Sequence, residues 1–185
     1  RDVVKNERRQ RVDNQPYGRV WENLGWLTYP EEHPYNWPVI GYMEDLTAAS
    51  LDDVQNFFKQ YYIPNNASLC VVGDFNTAEA KALIEKHFAS IPAGGPVARK
   101  EAWIPQLDGI RRAAMQDNVS LARVYYAFPT PGYYQPGDAE MDILANALTN
   151  VKTSRLYKSL VYDKQIAQDV AAFQGSSEIC GSFIL

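Results

Sequence analysis

Proline and glycine positions place the strongest limit on regular structure in this chain of 185 residues. Residues 92–109, PAGGPVARKEAWIPQLDG, contain three prolines and three glycines. Proline cannot donate a backbone hydrogen bond, and glycine loses much conformational entropy in a helix or strand. We therefore interpret this segment as an irregular interdomain connector with regular structure on both sides of it.

Residues 25–45 form a second segment, and its prolines exclude a long regular helix. Pro30, Pro34 and Pro38 lie among many aromatic residues. A loop of this length is usually either functional or disordered, and its aromatic content favours a packed loop.

Helix-capping signals indicate two helices between these segments. Ser50 with Asp53 and Asn76 with Glu79 resemble capping boxes, which predict helices over 47–62 and 77–91. The first of these has apolar residues at helical spacing, at Leu51, Val54, Phe57, Phe58 and Tyr61. The apolar run 67–73 between the two helices predicts a buried strand.

The C-terminal half combines strand-like runs with helical patterns. Strands are predicted at 110–116, 122–128, 166–174 and 179–185, and helices at about 138–148 and 153–162. Because the order lacks a regular βαβ alternation, we expect an α+β fold with largely antiparallel sheet. The chain starts within a predicted helix and stops within a predicted strand, so we expect it to be a segment of a longer protein.

The composition excludes two classes of function. A net charge of −4 argues against a nucleic-acid surface, and the short cluster Arg8, Arg9 and Arg11 is interpreted as a solvated helix face. No apolar run approaches the roughly 20 residues of a membrane span. The two cysteines, Cys70 and Cys180, lie in apolar runs and are interpreted as buried small side chains.

Glu7 lies at an unusual position for a carboxylate in the first predicted helix, residues 2–14. Helical spacing places it on the same side as Val3, Val4 and Arg11. A carboxylate on an apolar face must be paired, hydrogen-bonded or bound to a cation. Three alternatives remain open from the residues alone: a salt bridge to a nearby arginine, exposure at the edge of the stripe, and metal binding.

The histidines do not indicate a metal site by themselves. His33 and His87 each lack a partner histidine at helical spacing. We therefore expect surface hydrogen bonding or packed rings for both. Nucleotide-binding and serine-hydrolase motifs are also absent.

Four stretches, RDVVKNERRQ, HPYNWPVIGYMEDLTAASLDDVQNFFKQYYIPNNASLCVVGDF, IEKHFASIP and SRLYKSLVYDKQIAQDVAA, together resemble the insulinase-type zinc metallopeptidases. This family is also called the pitrilysin or M16 peptidases. The resemblance implies two-layer domains in which antiparallel sheets pack against helices. Residues 1–94 would be the C-terminal part of the zinc-bearing domain, and residues 95–185 the N-terminal part of a second, related domain.

The resemblance also gives Glu7 a role. In the family, two histidines of an inverted His-x-x-Glu-His motif and a later glutamate bind Zn²⁺, and the later glutamate follows a stretch like Arg-Asp-Val. Arg1, Asp2 and Val3 lead to Glu7 in the same way, so Glu7 would be the third zinc ligand. The inverted motif and a glutamate expected just before Arg1 are absent. We therefore expect no catalytic residue in this segment, no useful zinc binding by it alone, and no activity in isolation.

The resemblance implies a peptide substrate enclosed by two halves that close like a clamshell. The half opposite the zinc often carries an arginine and a tyrosine seven residues apart, and the matching positions here are Val161 and Gln168. The other half would thus come from further domains of the same chain or from a partner subunit. A bacterial periplasm or envelope is favoured. The alternatives are a non-catalytic structural relative and an unrelated peptide-binding module.

Overall fold

A computed structural model describes the whole chain, Arg1 to Leu185, as an α+β fold with seven α-helices and three β-strands. In chain order the elements are α1 (Asp2–Arg8), α2 (Val20–Thr28), α3 (Met43–Ala48), α4 (Leu51–Tyr61), α5 (Thr77–Phe88), β1 (Ala127–Thr130), α6 (Asp138–Ala145), α7 (Arg155–Tyr157), β2 (Phe173–Gly175) and β3 (Gly181–Ile184). Helices α1, α6 and α7 continue as π-helical segments, Arg9–Asp13, Asn146–Asn150 and Lys158–Asp163. The predicted fold class is confirmed.

The chain divides into two compact units. Residues 1–43 and 100–185 form the first unit, and residues 44–99 form the second. The assignment of residues 1–94 and 95–185 to two successive family domains concerns the complete protein, and it stays a prediction.

The sheet of the first unit is antiparallel, with strand order β1–β3–β2. Phe183 of β3 lies opposite Phe128 on one side and Gln174 on the other, and it is buried. A β-carbon on Gly181 would lie only 2.6 Å from Thr130 Oγ1 and from Gln174 Nε2. Glycine is therefore required at the start of β3, where side chains of β1 and β2 and the Pro131 carbonyl approach its backbone.

A buried histidine joins three parts of the first unit. His33 is fully buried; its Nδ1 accepts a hydrogen bond from the Tyr35 backbone N–H (3.1 Å), and its Nε2–H donates to the Trp103 carbonyl (3.0 Å). The Tyr29 ring stacks on it at 4.6 Å, and Cys180 Sγ lies 3.7 Å from Nε2. The proline-rich loop, residues 29–42 between α2 and α3, is thereby attached to Trp103 of the connector and to Cys180, the residue preceding β3. It is a packed loop.

The N-terminal helices differ in how well the sequence predicted them. The first predicted helix is confirmed, because α1 and its π-helical continuation cover residues 2–13. Helix α2 was not predicted, and it extends to Thr28, inside the segment interpreted as a loop. The irregular part is therefore shorter than expected and lies between α2 and α3.

Three of the four strands predicted in the C-terminal half are shortened or missing, and the one predicted at 166–174 is reduced to β2 (Phe173–Gly175). Of residues 110–128, only Ala127 and Phe128 belong to a strand, β1. The Tyr17 backbone N–H donates to Asp117 Oδ2 (2.8 Å), and the Tyr17 hydroxyl donates to the Leu121 carbonyl (2.7 Å). These contacts attach the bend at residues 117–121 to Tyr17, and residues 110–116 form no strand.

The second unit contains the two predicted capped helices. Ser50 Oγ accepts the Asp53 backbone N–H, Asp53 Oδ2 accepts the Ser50 backbone N–H, and α4 begins at the next residue. Asn76 Oδ1 accepts the backbone N–H groups of Ala78 and Glu79 at the start of α5. Both capping signals are confirmed, because such signals act within a few residues. The first helix nevertheless begins four residues later than predicted, since Thr47 and Ala48 belong to α3.

The apolar surface of the second unit is exposed. Residues 67–73 do not form the predicted strand, and Val72 is 89% exposed. A strand requires a neighbour that satisfies its backbone groups, and residues 44–99 contain no strand. The predicted apolar face of α4 likewise forms but stays exposed, with Leu51 at 71%.

Burial of Tyr29 predicts a loss of stability at alkaline pH. Burial raises the pKa of Tyr29 to about 12, whereas an unfolded tyrosine titrates near 10. Because the folded pKa is the higher one, the stabilisation is complete below about pH 10 and is lost as pH rises toward the folded pKa. Urea denaturation should therefore show a free energy of unfolding that falls above about pH 10, and falls less steeply in Tyr29→Phe.

The exposed Tyr134 provides the control for this experiment. Tyr134→Phe should keep the alkaline slope of the wild type. Identical slopes in wild type and Tyr29→Phe would contradict the prediction.

Candidate functional site

Glu7, the predicted zinc ligand, lies in the last turn of α1 and is paired with an arginine. Its side chain is 40% exposed, and Oε1 lies 3.3 Å from Arg11 Nε, four residues further along the helix. The structure thus contains the salt bridge that the sequence left open as an alternative. Exposed pairs at this spacing contribute only about 0.3–0.5 kcal/mol, so the carboxylate remains available to another cation.

The predicted apolar stripe beside Glu7 is not the buried side of the helix. Val3 is 79% exposed, and Val4 is also exposed. The only buried residue of α1 is Arg8, and the continuing segment Arg9–Asp13 has none. The interpretation of Arg8 as part of a solvated basic face is therefore wrong.

Arg8 is buried because its guanidinium finds a set of oxygen partners. Nη1 donates to Glu22 Oε1 (2.5 Å) on α2 and to the Gly41 carbonyl (2.8 Å), and Nη2 lies 3.7 Å from Asp13 Oδ1. The Arg8 and Glu22 side chains are both almost fully buried. No sequence signal reveals this pair, since its members are separated by 14 residues at a spacing that no helical pattern specifies.

The surroundings of the pair are asymmetric. Glu22 Oε2 is buried without a hydrogen-bond partner, and Arg19 Nε lies 3.9 Å from it. On the other side, the Arg8 guanidinium lies 6.0 Å from the centre of the Tyr42 ring. The Tyr42 hydroxyl accepts a 2.8 Å hydrogen bond from Trp26 Nε1, so α2 holds this end of the loop as well.

The remaining metal-binding residue types do not converge. No group of three histidine, cysteine or acidic side chains is close enough to hold a metal ion. Both ring nitrogens of His33 are engaged, and His87 is exposed on α5. Burial raises the pKa of the Cys180 thiol, whereas Cys70 is exposed because the strand predicted around it does not form. These 185 residues therefore contain no complete metal site of their own.

The two positions matched to the family's arginine and tyrosine, Val161 and Gln168, lie between the start of α7 and β2. Val161 belongs to the π-helical segment Lys158–Asp163, and Gln168 is exposed in the irregular segment before β2. Neither residue offers a cation or an aromatic hydroxyl. None of the helices is long and apolar enough to cross a membrane.

Comparison with protein families identifies the class of protein. A family model described as the peptidase M16 inactive domain matches residues 48–185. The chain therefore belongs to the peptidase M16 family. This membership excludes the alternative of an unrelated peptide-binding module.

The relatives are named as proteases and are longer than this chain. The zinc protease PqqE of Helicobacter pylori is 35% identical over 170 residues, which are 90% of this chain and 38% of that protein. The crystal structure of a protease from Helicobacter pylori superposes with a TM-score of 0.84 and 32% identity, over 99% of this chain and 45% of that chain. The periplasmic protease PqqL from Escherichia coli shares the fold, with a TM-score of 0.63, 18% identity and coverage of 99% and 21%. This chain thus spans less than half the length of these relatives.

Breaking the buried pair should destabilise the first unit. Arg8→Met leaves Glu22 buried without its main counter-charge, which typically costs about 3–5 kcal/mol. The double variant Arg8→Met/Glu22→Leu removes both charges and should recover most of this loss. Urea denaturation followed by circular dichroism measures both changes.

The neighbouring Arg9 provides a matched control, because it is exposed and its guanidinium donates to Asn6 Oδ1. Arg9→Met should change the free energy of unfolding by no more than about 0.5 kcal/mol. A small effect of Arg8→Met, equal to that of Arg9→Met, would show that the buried pair is not important for stability.

Proposed function

We propose that this chain is a segment of a zinc-dependent endopeptidase and that Glu7 is its third zinc ligand. The observation that carries the proposal is the accessible carboxylate of Glu7, at the position that the Arg-Asp-Val stretch specifies, in a member of the M16 family. The relatives' designation as zinc proteases supports it.

The local contacts of Glu7 are compatible with this role. Its pairing with Arg11 is an exposed contact, so exchanging it for a divalent cation costs little. The carboxylate adds an oxygen donor and a negative charge, which suit a zinc site completed by histidines. When bound, zinc lowers the pKa of a coordinated water toward neutrality and polarises the scissile carbonyl.

The rest of the proposed site would come from outside these 185 residues. The His-x-x-Glu-His motif would lie elsewhere in the protein, and the second wall of a peptide-binding chamber would come from other domains or a partner subunit. Residues 1–94 and 95–185 would belong to two successive domains of that assembly. The limited share of the relatives' length that this chain covers supports the proposal. A periplasmic or envelope location is part of it, supported by the description of PqqL from Escherichia coli as periplasmic.

A non-catalytic relative is the second candidate. The family model that matches residues 48–185 is described as an inactive domain, and this range does not include Glu7. In a structural subunit, Glu7 would serve only as the partner of Arg11. Zinc content of the complete protein distinguishes the two candidates, since only the peptidase requires the metal.

Glu7→Gln in the complete protein should therefore remove zinc and peptidase activity without unfolding it. Glutamine keeps the size of the side chain but is a poor zinc ligand, and the loss of affinity should exceed the roughly 10–100-fold typical of residues around the ligands. Metal analysis after dialysis, peptide hydrolysis and circular dichroism measure the three properties.

Glu31→Gln, at an exposed carboxylate in the loop after α2, is the control and should behave as wild type. Full zinc occupancy and turnover in Glu7→Gln would remove Glu7 from the site. A wild-type protein that purifies without zinc and cannot be loaded with it would favour the non-catalytic candidate.

A further inference from the structure

We propose that the buried Arg8–Glu22 pair is a positioning device that fixes the direction in which Glu7 points. This inference rests on the proposed function, because the direction of Glu7 matters only if it binds the metal. It assigns a role to two residues that are not themselves ligands.

The first argument is the rotation of the helix. Consecutive residues of an α-helix point about 100° apart around its axis, so the direction of Arg8 determines that of Glu7. Arg8 is the only buried residue of α1 and its continuation, and the helix start has no side-chain cap. No apolar residue of this helix is fully buried, so apolar packing is at most a weak constraint on its rotation.

The second argument is the directionality of the Arg8 contacts. A guanidinium is planar, and its N–H groups have fixed directions, so the two bonds of Nη1 restrict where the side chain can lie. One partner, Glu22, belongs to α2, and the other, the Gly41 carbonyl, lies at the end of the proline-rich loop. Helix α1 is thereby oriented against two separate parts of the first unit.

The third argument is that the pair is poorly optimised for stability alone. One oxygen of Glu22 is buried without a hydrogen bond. Replacing such pairs with apolar residues of similar size is often neutral or stabilising. Apolar residues could therefore stabilise the fold as well as this pair does. Because Arg8 is next to the proposed ligand Glu7, we infer that the pair serves to orient Glu7.

The test compares zinc affinity with thermal stability in the complete protein. Arg8→Met/Glu22→Leu should melt close to the wild-type temperature but bind zinc about 10–100-fold more weakly, as is typical for residues that orient ligands. Competition with a chelator measures the affinity. The absorption spectrum of the Co²⁺-loaded protein, which reports ligand geometry, should also differ from that of the wild type.

Two further variants keep the result interpretable. Arg9→Met should leave zinc affinity and the Co²⁺ spectrum unchanged. Arg8→Lys retains the charge but loses the planar, directional contacts, so it should also weaken zinc binding. It provides the test if the double variant does not fold.

Wild-type zinc affinity in the double variant, or in Arg8→Lys if only that one folds, would overturn the positioning role. This outcome differs from failure of the proposed function itself. If the proposed function itself were wrong, Glu7→Gln would also bind zinc as the wild type does.

Discussion

The contact between Arg8 and Glu22 joins parts of the chain that are distant in sequence. It fixes the first helix to α2, and the second bond of Arg8 fixes both to the end of the proline-rich loop. The first helix has almost no apolar burial of its own. Its attachment therefore depends on electrostatics and directional hydrogen bonds, which are strong in a site shielded from water and costly when one partner is lost.

The loop that accepts a hydrogen bond from Arg8 is also tied by side-chain contacts. His33 satisfies two backbone groups at once, one from Tyr35 within the loop and one from Trp103 in the connector. Buried backbone groups need such partners when no helix or strand supplies them. The loop that contacts Arg8 at Gly41 is thus held by the side chain of His33 as well as by its own backbone hydrogen bonds.

The sequence predicted the features that depend on neighbouring residues. The capped helix starts at Ser50 and Asn76 were correct because each cap acts within one turn. The strand at residues 67–73 was not, because an apolar run pairs only where a partner strand is available. The burial of Arg8 could not be predicted, since its partner Glu22 lies on another helix. Glu7 was predicted as a zinc ligand from the resemblance to a family. Its position on the helix by itself left a salt bridge, exposure and metal binding as alternatives.

The uncovered face of α4 has a consequence for the life of the protein in a cell. Leu51 and Phe57 present apolar surface to water on a helix that is otherwise well formed and well capped. Contiguous apolar surfaces of this kind are sites of interaction or of aggregation, and chains that aggregate or unfold are removed by chaperones and proteases. The lifetime of a nascent polypeptide carrying this helix would then be governed by how quickly the face becomes covered, rather than by how quickly the helix folds.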